Sequence, residues 1–305
     1  MTGLELKNKG VCGASVFAGF NITKGCAPLL KDVVEIRITP ADFEYDDTRE
    51  FDATYLKELQ AAGKLNILQR IDLFESQSSD NQYATSSKGF ESLAIEGIYK
   101  FRATFNHDVW FNKQMGTLEG EYHKRVELVD SRGSIFKTEG TTDSKSRGFL
   151  VAHITRGMQT FLNGTNKQAQ YLDIQFAEKA EFDDEPVVVD AGLLDKETRE
   201  IAPVVEASVS FNAVPSDTDT TIAIKAVYDR GQKGDITGLT ESGDFLVKIN
   251  GTAESGVVAT ESNGVYTITT TALSAADVVE VSINGVKEVV GDALYTSEVA
   301  KSVVI

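Results

Sequence analysis

Leu93-Ala-Ile-Glu-Gly-Ile-Tyr-Lys-Phe-Arg-Ala-Thr-Phe105 opens the most telling stretch of the chain. Asn106-His-Asp-Val-Trp-Phe-Asn-Lys-Gln-Met115 follows it and, after five more residues, Glu121-Tyr-His-Lys-Arg-Val-Glu-Leu-Val-Asp130. In the first part Tyr99, Phe101, Ala103 and Phe105 fall on one side and Lys100, Arg102 and Thr104 on the other. A period of two with aromatic residues predicts a half-buried strand over 93–105. The middle part fits a short helix, with Asn106 or Asp108 as N-cap and Val109, Phe111 and Met115 on its apolar side. The last part alternates again through Val126, Leu128 and Val129 and ends in the turn Ser131-Arg132-Gly133. The centre of the chain therefore reads as strand, short helix, strand. It is a scaffold that names no reaction.

Upstream, residues 10–30 are rich in Gly, Ala and Ser and suit a close-packed loop or arm. Their glycine spacing fits no phosphate-binding loop. Val33 to Thr39 alternates as a strand stopped by Pro40. Asp52 caps a helix through Tyr55, Leu56 and Leu59 that Gly63 closes. Leu65 to Phe74 reads as strand, and Glu75 to Gly89 as a long polar loop, a solvated tip or an interaction loop. Downstream, Ser134 to Thr138 pairs with Val126 to Asp130 as a hairpin, and Thr141 to Arg147 is a second polar loop. Phe149 to Thr155 and Tyr171 to Phe176 are further strands. Residues 177–203 read as an acidic connector with one apolar piece at Val187 to Val189.

The last hundred residues carry short β-branched runs at 205–211, 221–228, 245–249, 265–271, 278–283 and 286–290. Asn250-Gly251 and Asn284-Gly285 predict type I′ hairpin turns, and Asn263-Gly264 adds a third turn signal. Regularly spaced short strands of this kind predict an immunoglobulin-like β-sandwich without the Cys-Trp-Cys core of antibody domains. The expected fold is mainly β. A β-rich domain of sandwich or barrel type over 1–176, with one or two short helices, leads through the connector 177–203 to a sandwich over 204–305.

Composition narrows the function. The chain has 305 residues and a net charge of −16. So acidic a surface opposes nucleic-acid binding yet suits a wall that DNA slides past. Residues 202–305 hold 6 Lys+Arg against 14 Asp+Glu, about twice the net charge density of the rest. No apolar run reaches a membrane span and no secretory signal is expected. Cys12 and Cys26, the two cysteines, are buried free thiols or one local bridge. Nothing points to a cofactor, a metal or catalysis. His107, His123 and His153 show no ligand spacing, and Asp217-Thr-Asp219 is too short for a calcium loop and reads as a solvated turn. The acidic run Asp42, Glu44, Asp46, Asp47, Glu50, Asp52 reads as a solvated face. Ser144 and Ser146 lack the glycines of a nucleophile elbow. A hydrolase would need two carboxylates, or a His–acid pair, meeting in a cleft of the first domain. A carbohydrate-binding module would need exposed aromatics on the last domain. Phe211, Tyr228, Phe245, Tyr266 and Tyr295 fall mostly at core-facing positions.

Leu59-Gln-Ala-Ala-Gly-Lys-Leu65, Gly97-Ile-Tyr-Lys-Phe-Arg102, Val129-Asp-Ser-Arg-Gly-Ser-Ile-Phe136 and Asp244-Phe-Leu-Val-Lys-Ile-Asn-Gly251 together resemble structural proteins of tailed bacteriophages, particularly those of Bacteroidetes hosts. The resemblance implies a non-enzymatic virion component made in the host cytoplasm, with a C-terminal immunoglobulin-like module. Its partners would be copies of itself in a ring or tube and other virion proteins. The implied role is a tail tube subunit, with residues 73–101 as the stacking hairpin. A capsid decoration protein that clamps the major capsid shell is the alternative.

Overall fold

The computed structural model describes residues 1–10, 32–88, 90–107, 109–161, 168–228, 234–289 and 294–305. Cys12, Cys26, most of the glycine-rich segment and the Asp108 cap lie outside them. The chain divides into two compact units, one over Met1–Leu59 and Gly63–Ile201, the other over Ala202–Ile305 with Gln60–Ala62. Both are built of strands, and the mainly-β expectation holds. Five short helices occur among the described residues, more than the one or two expected.

In the first unit, Val33–Pro40 pairs antiparallel with Asn66–Gln69 on one edge and with Lys124–Asp130 on the other. Lys124–Asp130 turns into Ile135–Glu139 and, nearer its start, pairs with Phe149–Arg156. From there the sheet continues through Gln170–Phe176 and Lys100–Phe105 to Ile71–Ser76 at its edge. The predicted turn at 131–133 forms because Asp130 accepts the backbone N–H groups of Arg132 and Ser134, while Gly133 takes φ +89°. The helix Ala53–Ala61 starts where Asp52 Oδ1 accepts from the Tyr55 N–H at 2.8 Å, and Gly63 at φ +65° follows it. Both caps stand where the sequence placed them.

Alternation divides the sheet into two faces. Ile36, Ile38, Val126, Leu128 and Phe149 turn to a core shared with Phe101, Phe105, Met115, Leu172 and Ile174. Burying each such side chain stabilises the fold by about 1.5–3 kcal/mol. The other face carries Glu35, Arg37, Thr39, Glu127 and Lys137, and all five are buried rather than solvated. Arg37 Nε donates to Glu35 at 2.7 Å, and the Lys137 ammonium lies 4.6 Å from the centre of the Tyr45 ring. Burial pushes the Glu127 carboxyl above its ordinary range, against the pull of Lys137 and Arg37.

That face is covered by the residues expected to form a connector. Pro186–Val189 pairs with Ile135–Glu139, and Val189, Leu194 and Ile201 complete a second core with Leu56, Leu59, Tyr45 and Ile135. Glu181 accepts from Arg125 at 3.0 Å and from the Leu150 N–H at 2.6 Å. Residues 177–201 thus belong to the first unit. Acidity suggested an exposed tether, but Glu181 is spent inside the fold.

In the second unit, a six-stranded and a four-stranded sheet face each other. Ile222, Ile224, Tyr266 and Ile268 from one meet Phe245, Val247, Val279 and Val281 from the other. Asn250-Gly251 and Asn263-Gly264 both have two positive φ angles, as the hairpin reading required. At Asn284-Gly285 only the glycine does, so that turn is of another type.

Candidate functional site

The strand expected over 93–105 is two strands, Glu91–Ile95 and Lys100–Phe105, and the expected loop 75–89 carries a strand of its own, Gln82–Thr85. Together they make one long antiparallel ribbon. It leaves the sheet where Ile71–Ser76 pairs with Lys100–Phe105. The Gln77 N–H then donates to Lys100 O at 2.7 Å and the Ser79 N–H to Ile98 O at 3.0 Å. Gln82–Thr85 and Glu91–Ile95 continue the pairing, and the Ser86 N–H reaches Phe90 O at 2.7 Å next to the tip. The ten residues from Gln77 to Ser86 span roughly 33 Å at 3.3 Å per residue.

Serines explain why so polar a stretch stays ordered. Ser78 Oγ accepts from the Lys100 N–H at 3.1 Å, and Ser79 Oγ from the Ile98 N–H at 3.3 Å, so hydroxyls stand in for ladder partners. Gly97 lets the two strands meet. A Cβ there would sit 2.3 Å from Ser79 O, and its N–H donates to Asn81 Oδ1 at 2.7 Å.

The root is anchored firmly. The Phe74 and Phe101 rings stack at 5.2 Å, and Tyr99 packs on Phe182 at 4.6 Å. The Tyr99 hydroxyl donates to Asp183, and that bond, helped by burial, lifts it to about 12. Arg102 grips Asp173 with two nitrogens, at 2.7 and 2.9 Å, and holds its carboxyl below the ordinary range.

Beyond the root, the ribbon is bare. Register places Tyr83 opposite Leu93 on one face, 58 and 51% exposed. A register shift between Gln82 and Tyr83 pairs Ile95, 59% exposed, with Gln82, so Ile95 falls on the other face with Ala84 and Ser92. Phe90 beside the tip is 73% exposed. A two-stranded ribbon is marginal alone in water, and one apolar face without cover marks a contact surface.

The other candidates are held in local structure. The His107 ring packs tilted against Phe111 at 4.3 Å, and its backbone is bonded to Gln170. Among the described residues no three His, Cys, Asp or Glu side chains converge as metal ligands. Asp217 and Asp219 accept from the Ala275 and Ser216 N–H groups. The acidic run is only partly solvated: Asp47 is buried and accepts from the Ser146 hydroxyl at 2.7 Å, while Glu44 binds Thr141 and Lys145. In the second unit Phe245, Tyr266 and Tyr295 are interior. No described helix is long and apolar enough to cross a membrane. Arg70 and Arg199 share a cleft with the turn at 131–133, a meeting that sequence reasoning missed because these residues are distant in the chain. Scans against protein-family models and against curated protein sequences find no match for this chain.

Proposed function

We propose that this chain is a structural subunit of a tailed-phage virion, specifically a tail tube subunit, which assembles with copies of itself through the ribbon. The observation that carries the reading is the ribbon itself. It is anchored by aromatic rings and a bidentate ion pair, projects roughly 33 Å at 3.3 Å per residue, and bears an uncovered Tyr83–Leu93 pair on one face, with Ile95 exposed on the other. Its place, within 73–101, is the segment that the phage resemblance implies for stacking. The acidity of the chain, −16 overall, suits a lumen through which DNA passes without adhering. The second unit would then be an outward module with no part in stacking.

Negative-stain electron microscopy of the concentrated protein at two salt levels tests this. Tubes or stacked rings are expected from the full chain and from a chain ending at residue 201. A protein that stays monomeric at every concentration would count against it.

A further inference from the structure

Nine arginines lie among the described residues, and seven of them hold a carboxylate within 4.0 Å. Arg70 and Arg199 hold none, and both line the same cleft, of about 480 Å³. Neither position is incidental. Arg70 sits between two strands at φ +60°, a conformation that non-glycine residues seldom adopt. The stem of Arg199 lies over the hairpin turn, where a Cβ on Gly133 would meet its Cγ and Cδ at 3.0 Å. Its Nε makes only a weak contact with Asp195 O, at 3.3 Å. The cleft's buried carboxylates are already engaged: Glu35 by Arg37 and Gln69, Asp130 by Arg132. The remaining carboxylate of the lining, the exposed Glu200, is paired with Lys196 at 3.7 Å. Arg70 and Arg199 therefore line the cleft without an ion pair, in a chain with a net charge of −16.

The ribbon presents the converse. Strand alternation and the pairing of Thr85 with Glu91 put Glu91 on the same face as Tyr83 and Leu93. Glu91 is exposed and has no ion pair among the described residues. Docking that face would remove the carboxylate from water, which is costly unless a cation meets it. We propose that Glu91 of one copy docks into the Arg70–Arg199 cleft of a second copy. This rests on the self-association reading above and adds the contact that sets its register. The planar donor fork of an arginine suits a carboxylate.

The test is a charge exchange in the full-length protein, read by sedimentation velocity over a concentration series in about 0.1 M salt. Glu91→Lys alone, and Arg70→Glu with Arg199→Glu, should each weaken association by about tenfold or more. Combining all three should restore it to within about threefold of the wild type. Arg70→Gln with Arg199→Gln is the milder variant. Neither arginine holds an ion pair, so thermal midpoints should stay near that of the wild type. The proposal is overturned if the arginine variants associate as the wild type does, or if the triple variant is no better than its parents. Tyr83→Thr with Leu93→Thr separates the two ideas. If it abolishes association while the arginine variants do not, ribbon docking survives and the cleft contact falls. A wild type that never associates removes both.

Discussion

Replacing Tyr83 and Leu93 together by threonine tests the ribbon most directly. Threonine has the β-branched shape that strands favour, so the ribbon's backbone is spared. In the isolated subunit the two side chains share a face, are 58 and 51% exposed and belong to no buried cluster. Full burial of a large apolar side chain is worth about 1.5–3 kcal/mol, so covering the exposed half of both gives about 2–3 kcal/mol per docked ribbon. At about 1.4 kcal/mol per factor of ten, that is roughly 30- to 140-fold in the association constant. Light scattering or sedimentation over a concentration series would show the midpoint moving up by that factor, with the thermal midpoint of the first unit little changed. Val258→Thr, at a residue 47% exposed in the second unit, is the control and should leave association alone. Two outcomes refute the reasoning. An unmoved association midpoint means this face is not the contact, and a matching loss of thermal stability means the ribbon packs on its own subunit.

Other outcomes follow from the ribbon's construction and from the first core. Gly97→Ala places a Cβ 2.3 Å from Ser79 O, so the ribbon should open at that crossing. Limited proteolysis should then cut within 77–98 far faster, with little change in the thermal midpoint. Glu181→Ala strands the buried Arg125 guanidinium and should cost the first unit about 3–5 kcal/mol in denaturant unfolding. A loss below about 1 kcal/mol, the range of exposed pairs, would mean that residues 177–201 are a tether after all. Asp173 has its carboxyl depressed in the fold by Arg102, so its contribution is present above the ordinary carboxylate range and is lost as pH falls through the depressed value. Asp173→Asn should therefore be less stable than the wild type at neutral pH, and the difference should shrink as acidification takes the pH below the ordinary carboxylate range and through the depressed value. A constant difference across that range would show that the pair matters through packing alone.

The fold was legible wherever the signal was local. Asp52 and Gly63 bound their helix, Asn250-Gly251 and Asn263-Gly264 turn as expected, and the strands at 221–228, 245–249 and 278–283 fall where their β-branched runs lie. What was not legible depended on distant partners. Alternation at 33–39 shows that the two faces of the strand differ, but it does not say what covers the polar one. The cover is supplied by residues 177–201, part of the segment read from its acidity as a connector, and beneath it Glu35 and Arg37 are buried. The ribbon was half visible. Segment 73–101 could be named, yet the Ser-rich run 76–79 hid the pairing, because hydroxyls there do what backbone groups do in an ordinary ladder. The cleft left no trace in sequence, since Arg70, Arg132 and Arg199 meet only through folding.

The ribbon's two ends are built by opposite rules, and that contrast argues for its role. At the root, rings, a bidentate arginine and the Tyr99–Asp183 bond hold it to the sheet. Toward the tip there is only the two-stranded ladder, with Phe90, Tyr83, Leu93 and Ile95 in water. A ribbon with no further use would gain from a polar exposed face or from folding back on its own subunit. A sticky ribbon without control would aggregate along its open edges. This one pairs Tyr83 with Leu93 on one face and sets Asp80, Glu91 and Glu96 along its length, so copies that meet out of register bring like charges together. The stabilisation missing at the tip then comes from a partner that covers one face and answers one charge. A second copy of the same chain offers the answering arginines.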